Sequence, residues 1–201
     1  MKKPLPLRER KKLATHLALV AAAHRSFHSV GFEATTIEAL CAEVSISKRT
    51  YFRYFADKEA LAFPHRQERL ERFISLLQQS PVHENPFTSL RRIARLFAQE
   101  YMQHREQLLA QQGLIQSSPA LRAREHEIDR DWELAMAQTF RTRISGDPDA
   151  ELRARVLAGA AIGVIRATMR HWFGHAAQAD LKSLGFEALD CLERGFFSSA
   201  Q

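Results

Sequence analysis

Two short helical stripes joined by a tight turn, in residues 35–55, set the strictest limit on how this chain can fold. The segment reads TTIEALCAEVSISKRTYFRYF. Ile37, Leu40, Cys41 and Val44 recur three and four residues apart, which marks one buried face of a helix. Thr35 and Glu38 stand at capping-box spacing, so Thr35 would cap this helix and Glu38 would reach back to it. Ser45-Ile46-Ser47 makes the turn, and Ser47 can cap a following helix over residues 48–55. Upstream, Leu13, Leu17, Val20, His24 and Phe27 line one face of a helix from about residue 10 to 30, stopped by Gly31. Asp57 would cap a fourth helix opening Lys-Glu-Ala-Leu, and Pro64 should kink or interrupt it. Three short helices therefore precede residue 57, the second and third joined as a helix-turn-helix.

The third helix needs two faces with different jobs. It carries Lys48, Arg49 and Arg53 among Tyr51, Phe52, Tyr54 and Phe55. Ile46, Tyr51 and Phe55 fall on one side, where they can pack on the second helix. Lys48, Arg49, Phe52 and Arg53 fall on the other. Charge follows the same division. Residues 1–58 hold 11 Lys/Arg against 5 Asp/Glu, whereas residues 59–201 hold 18 of each. The whole excess of +6 thus sits on the first 58 residues. A localised basic patch is the footprint of a polyanion partner. A helix-turn-helix puts the start of its second helix into the major groove. There Arg49 could pair with guanine and Phe52 could lie on a thymine methyl. Lys48, Thr50, Arg53 and Tyr54 have reach for phosphates, and so has the basic arm Arg8, Arg10, Lys11 and Lys12. Helix N-termini add anion sites at Thr35, Thr36 and Ser47, and at Lys58 on the fourth helix.

The remainder reads as helix throughout. Glycine (8) and proline (7) are scarce, and no alternating β-branched runs occur. SPVHENPF (80–87) is a loop. Helical stretches follow over roughly 88–104, 105–114, 119–145, 150–174 and 180–197, broken by GDPDA and GHAAQAD. No run of about 18 apolar residues offers a membrane span. The basic N-terminus is a poor signal peptide, and Cys41 and Cys191 form no motif, so buried thiols in a reducing cytoplasm are expected.

The stretch GFEATTIEALCAEVSISKRTYFRYFADKEAL (31–61) resembles the DNA-binding domain of the TetR family of bacterial helix-turn-helix transcriptional regulators. Gly31, Thr35, Thr36, Ser47, Thr50, Phe52, Tyr54, Phe55, Lys58, Glu59 and Leu61 match that family's pattern. There are departures. Cys41 stands where alanine is usual, Ser45 where glycine is usual, and Arg49 where a small residue is common. Phe52 replaces a tyrosine that often bonds a phosphate.

The resemblance implies an all-α chain of two parts. Residues 1–56 would be the arm and DNA-binding domain, and 57–201 a helical effector-binding and dimerisation domain. It implies a cytoplasmic homodimer on a palindromic operator in double-stranded DNA, acting as a ligand-relieved repressor with no cofactor. In such a repressor the fourth helix, with Lys58 at one end and Pro64 as its articulation, would shift on ligand binding. The small-residue stretch LAGAAIGVIRATM (157–169) suits close helix contact, and Phe186, Leu189, Leu192 and Phe196 recur at helical spacing. Both are expected at the dimer interface. Phe97 and Tyr101, then Trp132, Met136 and Phe140, then Met169 and Trp172 form aromatic and apolar stripes that would line a small-molecule pocket. Plain core packing is the competing reading for each.

LIQSSPALRAREHEIDRDWELAMAQTF and the later RHWF resemble the C-terminal half of a TetR subgroup found with mycofactocin clusters. That resemblance implies an acyl-CoA effector. Arg91, Arg92, Arg95, Arg122 or Arg124 would then meet its anionic head.

Two other classes compete. A metal-dependent enzyme would use His126 among its neighbouring carboxylates, or His171 with His175 at metal-ligand spacing. No HExxH, paired cysteine or phosphate loop accompanies them, so no metal and no catalysis are expected. A helical protein-binding adaptor would not need all its net charge on one small head.

Overall fold

The computed structural model describes residues 6–144 and 148–195. Phe196 and the break residues 145–147 lie outside these. Every regular element among the described residues is helical. The order is α1 (Leu7–Ser29), α2 (Ile37–Glu43), α3 (Lys48–Tyr51), a 3-10 turn (Glu59–Ala62), α4 (Arg66–Gln78), α5 (Pro86–Gln103), α6 (Arg105–Ser117), α7 (Pro119–Arg143), α8 (Ala150–Gly174) and α9 (Leu181–Arg194). None of the helices is long and apolar enough to cross a membrane.

The chain divides into two compact units. One gathers the chain up to His65 with Gly113–Glu125; the other joins Arg66–Gln112 to the chain from His126 onward. The boundary expected after residue 56 thus falls inside the first unit. The reason is burial: Leu61, Ala62 and Phe63 are all core residues, and the 3-10 turn that carries the first two packs on α1.

In the first unit, α1 packs on α2 and α2 on α3. Leu19, Phe27, Phe32, Leu40, Tyr51 and Phe55 are buried there. An ion pair between Arg25 and Glu43 joins α1 to α2 at 2.5 Å. Local chemistry moves three expected boundaries. Thr36, not Thr35, caps α2, its hydroxyl accepting from the Ala39 N–H at 3.2 Å. Ser47 caps α3 as expected, accepting from the Thr50 N–H at 3.1 Å. The third helix is one turn long rather than two. After Tyr51 the bonds tighten to three-residue steps, Arg53 N–H to Thr50 and Tyr54 N–H to Tyr51, in an aromatic run with little helix preference. Asp57 does cap, accepting from the Ala60 N–H at 2.7 Å, but what it caps is the 3-10 turn. Pro64 lacks the N–H to continue, and α4 restarts at Arg66.

The turn between α2 and α3 closes as a Schellman motif. Ile46 N–H donates to the Cys41 carbonyl and Ser45 N–H to that of Ala42. The residue between must be left-handed, and Ser45 has φ 57°. A Cβ costs about 1 kcal/mol in that region, which glycine would save. Ser45→Gly should therefore stabilise the protein by somewhat under about 1 kcal/mol, because glycine also gains freedom in the unfolded chain. A thermal melt checks this, and an unchanged or lowered midpoint contradicts it.

In the second unit, α9 packs on α5 and α8, and α4 on α5. One core holds Phe73, Leu77, Leu90, Ile93, Met136 and Phe140 against Ala154, Ala158 and Ala161 of α8. A smaller one holds Trp172, Ala98, Ala177 and Leu181. Trp172 satisfies its indole N–H on the Ala179 carbonyl at 3.0 Å. Arg91 of α5 grips both Asp190 and Glu193 of α9.

Candidate nucleic-acid interface

The outward face of α3 is built by what its inward face buries. Tyr51 is fully buried, with the Phe52 ring edge-on to it at 5.3 Å and the Phe55 ring tilted against it at 5.8 Å. Its hydroxyl donates to the Asp57 carbonyl at 2.9 Å. Burial, and then the Asp57 charge, push the Tyr51 phenol well above its ordinary range, so it remains a donor. With Tyr51 anchored, Arg49, Thr50, Phe52 and Arg53 line one depression at the surface. Phe52 is 54% exposed, a large apolar side chain left to water. Arg53 lies 5.5 Å from the Tyr54 ring, which holds its guanidinium along the face.

The acids of this unit are placed to leave that face positive. Glu43 holds Arg25, Asp57 holds Arg124, and Glu33 accepts from Ser118. Glu38 pairs with Lys48, and that lysine holds the Glu38 carboxyl below its usual range. Arg49 and Arg53 form no ion pair among the described residues. Burial pushes the Cys41 thiol up, so it sits in the head as an inert apolar group.

The expected contact residues separate into two groups. Thr36, Ser47, Lys48, Arg49, Phe52 and Arg53 are exposed, and Thr50 and Tyr54 are half-buried. Thr35 and Lys58 are turned to the interior instead. Thr35 is 2% exposed; its hydroxyl donates to the Gly31 carbonyl and shares a bond with Ser26, both at 2.8 Å. Lys58 donates to the carbonyls of Phe32 at 2.7 Å, Thr35 at 2.9 Å and Glu33 at 3.4 Å, and lies 4.2 Å from the Phe32 ring. Those three bonds use all three ammonium donors. The cap end of α2 and the outward face of α3 are therefore left exposed, while Lys58 closes the loop between α1 and α2.

The expected pocket residues fall into two clusters of the second unit. Phe97, Trp132, Met136 and Phe140 belong to one core; Tyr101, Met169 and Trp172 belong to the other. Met136, Phe140 and Trp172 are fully buried, whereas Phe97, Tyr101, Trp132 and Met169 are half-buried. Phe73, which is not among the expected pocket residues, is central: its ring lies 5.3 Å from Trp132 and 6.0 Å from Phe97.

The arginines expected at an anionic head group are engaged elsewhere. Arg91 holds Asp190 and Glu193, Arg92 holds Glu84 and Ser80, and Arg95 lies over Phe186. Arg122 donates to the Gln116 carbonyl and Arg124 to Asp57. The cations that do edge the aromatic cluster come from α4. Arg69 reaches the Tyr101 hydroxyl at 3.4 Å, and Arg72 lies 5.4 Å from the Phe97 ring while pairing with Glu100 at 2.5 Å. Arg66 pairs with Asp131 at 3.2 Å, and its Nη1 is buried without a hydrogen-bond partner in the structure. Nothing in the α4 sequence separates these from solvated surface arginines; only the ring contacts do.

His171 and His175 have ring centroids 4.2 Å apart. Among the described residues, however, no three His, Cys, Asp or Glu side chains gather to hold a metal.

Comparison with known proteins bears on both units. Residues 19–63 match the family described as bacterial regulatory proteins, tetR family. Residues 84–197 match the MftR C-terminal domain. The HTH-type transcriptional regulator TcmR of Streptomyces glaucescens is 29% identical over 205 residues, covering 96% of this chain and 88% of TcmR. Among solved structures, a TetR-family transcriptional regulator from Syntrophomonas wolfei superposes with a TM-score of 0.63 at 13% identity, covering 94% of this chain and 99% of that one. Thermus thermophilus FadR, a TetR-family repressor in complex with lauroyl-CoA, superposes with a TM-score of 0.55 at 20% identity, covering 92% and 97%. At these identities the solved structures speak for the fold alone.

Proposed function

Because this chain belongs to the TetR family of bacterial regulatory proteins, and is thus a DNA-binding transcriptional regulator, we propose that it acts in the cytoplasm as a homodimeric, ligand-relieved repressor on a palindromic operator. The observation that carries this is the exposed face of α3, where Arg49 and Arg53 form no ion pair among the described residues and flank an outward Phe52, while Lys48 beside them pairs with Glu38. Arg49 reads a base, Phe52 meets a thymine methyl, and Arg53, Lys48, Thr36, Ser47, Thr50 and Tyr54 meet phosphates or the groove edge.

Two half-sites need two copies of α3. The surface that suits a second copy runs along α8. Leu152 and Val156 are 64% and 62% exposed there. Gly159, Ala160 and Gly163 on the same helix are only half-buried, so a partner helix could approach closely.

The effector is an amphiphile with an apolar body and an anionic head, of which an acyl-CoA is the leading example. Phe73, Phe97 and Trp132 supply the apolar contacts, and Arg66, Arg69 and Arg72 of α4 the cationic rim. The bound complex of the Thermus FadR lends this class its support. To empty an operator, such a ligand must favour the non-binding state by several kcal/mol.

Footprinting on DNA upstream of the protein's own gene, at two salt concentrations and with added lauroyl-CoA, tests the reading. A symmetric protected site, lost steeply with salt and released by lauroyl-CoA, is the expected result. Protection that lauroyl-CoA leaves in place would sink the effector class. Binding of equal strength to every fragment would sink the operator.

A further inference from the structure

We infer that the corner between α6 and α7 is a positioning part of the DNA-binding head, and that Arg124 and Ser118 set the pose of the recognition helix α3 from there. This rests on the reading of α3 as the DNA-contacting element. The corner belongs to the same compact unit as the head although it follows it by about fifty residues. Ile115, Ser118 and Leu121 of the corner are buried.

Two polar contacts tie it down. Ser118 Oγ donates to Glu33 Oε1 at 2.6 Å, and the Ser118 side chain is almost wholly buried. Arg124 Nη2 donates to Asp57 Oδ2 at 3.0 Å. Each acid also stands in the frame of the recognition helix. Asp57 is a three-way node. One carboxylate oxygen takes Arg124, the other caps the 3-10 turn at Ala60, and the backbone carbonyl takes the Tyr51 hydroxyl. Tyr51 is the residue of α3 whose anchoring turns Arg49, Thr50, Phe52 and Arg53 outward. Glu33 in turn lies in the loop whose carbonyls Lys58 gathers.

Moving Arg124 leaves a half-buried carboxylate without its cation, and the peptide that holds Tyr51 shifts with it. Arg124 lies on α7, Pro119–Arg143, in the first turns of that helix.

The test compares the full-length protein with Arg124→Gln, Ser118→Ala and Asp57→Asn, by hydrogen exchange without DNA and by binding to a wild-type-selected site. The expected result is faster exchange at residues 49–55 in Arg124→Gln, with exchange in α5 and α9 unchanged. Operator affinity should fall roughly three- to tenfold with an unchanged salt slope, since no phosphate contact is lost. Adding Asp57→Asn to Arg124→Gln should cost little more, because the two act as a pair. Ser118→Ala should show the same pattern more weakly, and Arg124→Lys should recover part of it. Unchanged exchange at 49–55 in both Arg124→Gln and Ser118→Ala would overturn the inference. So would an affinity loss that lowers the salt slope by one, which would make Arg124 a phosphate contact. The exchange measurement needs no DNA, so a failure to select any site would count against the DNA reading and not against the corner.

Discussion

Lys58→Met should lower the stability of the head by about 3 kcal/mol, the value of a charged group serving several carbonyls at once. Lys58 is the pin of the loop between α1 and α2. Its ammonium draws together the carbonyls of Phe32, Glu33 and Thr35 and rests on the Phe32 ring. Methionine keeps the stem and the apolar contact, and leaves three carbonyls to find other donors. Phe32 is 3% exposed, so water reaches its carbonyl poorly. The loop ends at Thr36, the cap of α2, and loosening it frees the frame on which α3 sits. Lys58→Arg should not rescue the loss, because a planar guanidinium cannot converge on three carbonyls as an ammonium does. A thermal melt reads the first effect directly. DNA affinity should fall with it, at unchanged salt slope. A native melting temperature together with a slope reduced by one would reassign Lys58 to a phosphate.

Arg49→Ala should cost about 1–3 kcal/mol of operator binding, a loss of roughly ten- to a hundredfold for each half-site contact removed. The side chain is exposed and in no ion pair among the described residues, so stability should stay within a few tenths of a kcal/mol of the original. Arg53→Ala is the control. Arg53 lies on the same face but against Tyr54, where it suits a phosphate. Its removal should weaken all sequences alike and reduce the salt slope by about one per copy. Arg49→Ala should instead flatten the preference at one symmetric pair of operator positions. If Arg49→Ala keeps the base preference intact, another residue reads that base, and Lys48 or Phe52 is next in line.

Much of the fold was legible because apolar periodicity and stop signals agree along most of the chain. The stretch expected at 150–174 is α8, Ala150–Gly174, since Gly174 ends a run of small and apolar residues. The helix-turn-helix was legible down to the strained turn residue: Ser45 stands where glycine is usual, and its φ is positive. What was not legible depends on contacts distant in sequence. Thr35 and Thr36 both have cap chemistry; only the closeness of Ser26 and Gly31 turns Thr35 inward. Lys58 at a helix start reads as an anion site until the carbonyls 23 to 26 residues earlier are seen beneath it. Arg91 looked free because its partners, Asp190 and Glu193, come 99 and 102 residues later. Arg66, Arg69 and Arg72 had no ring in view until α5 and α7 brought Phe97, Tyr101 and Trp132 around α4. The α6–α7 corner is the extreme case, since nothing in residues 113–125 says that they fold with the head.

Enrichment of bound DNA from a random pool by the full-length protein tests the central claim most directly. The account predicts an inverted repeat whose half-sites lie about one helical turn, or a whole number of turns, apart, since a two-fold dimer presents two copies of α3. A pool that stays random through successive rounds, or that yields only unpaired half-sites, would contradict it.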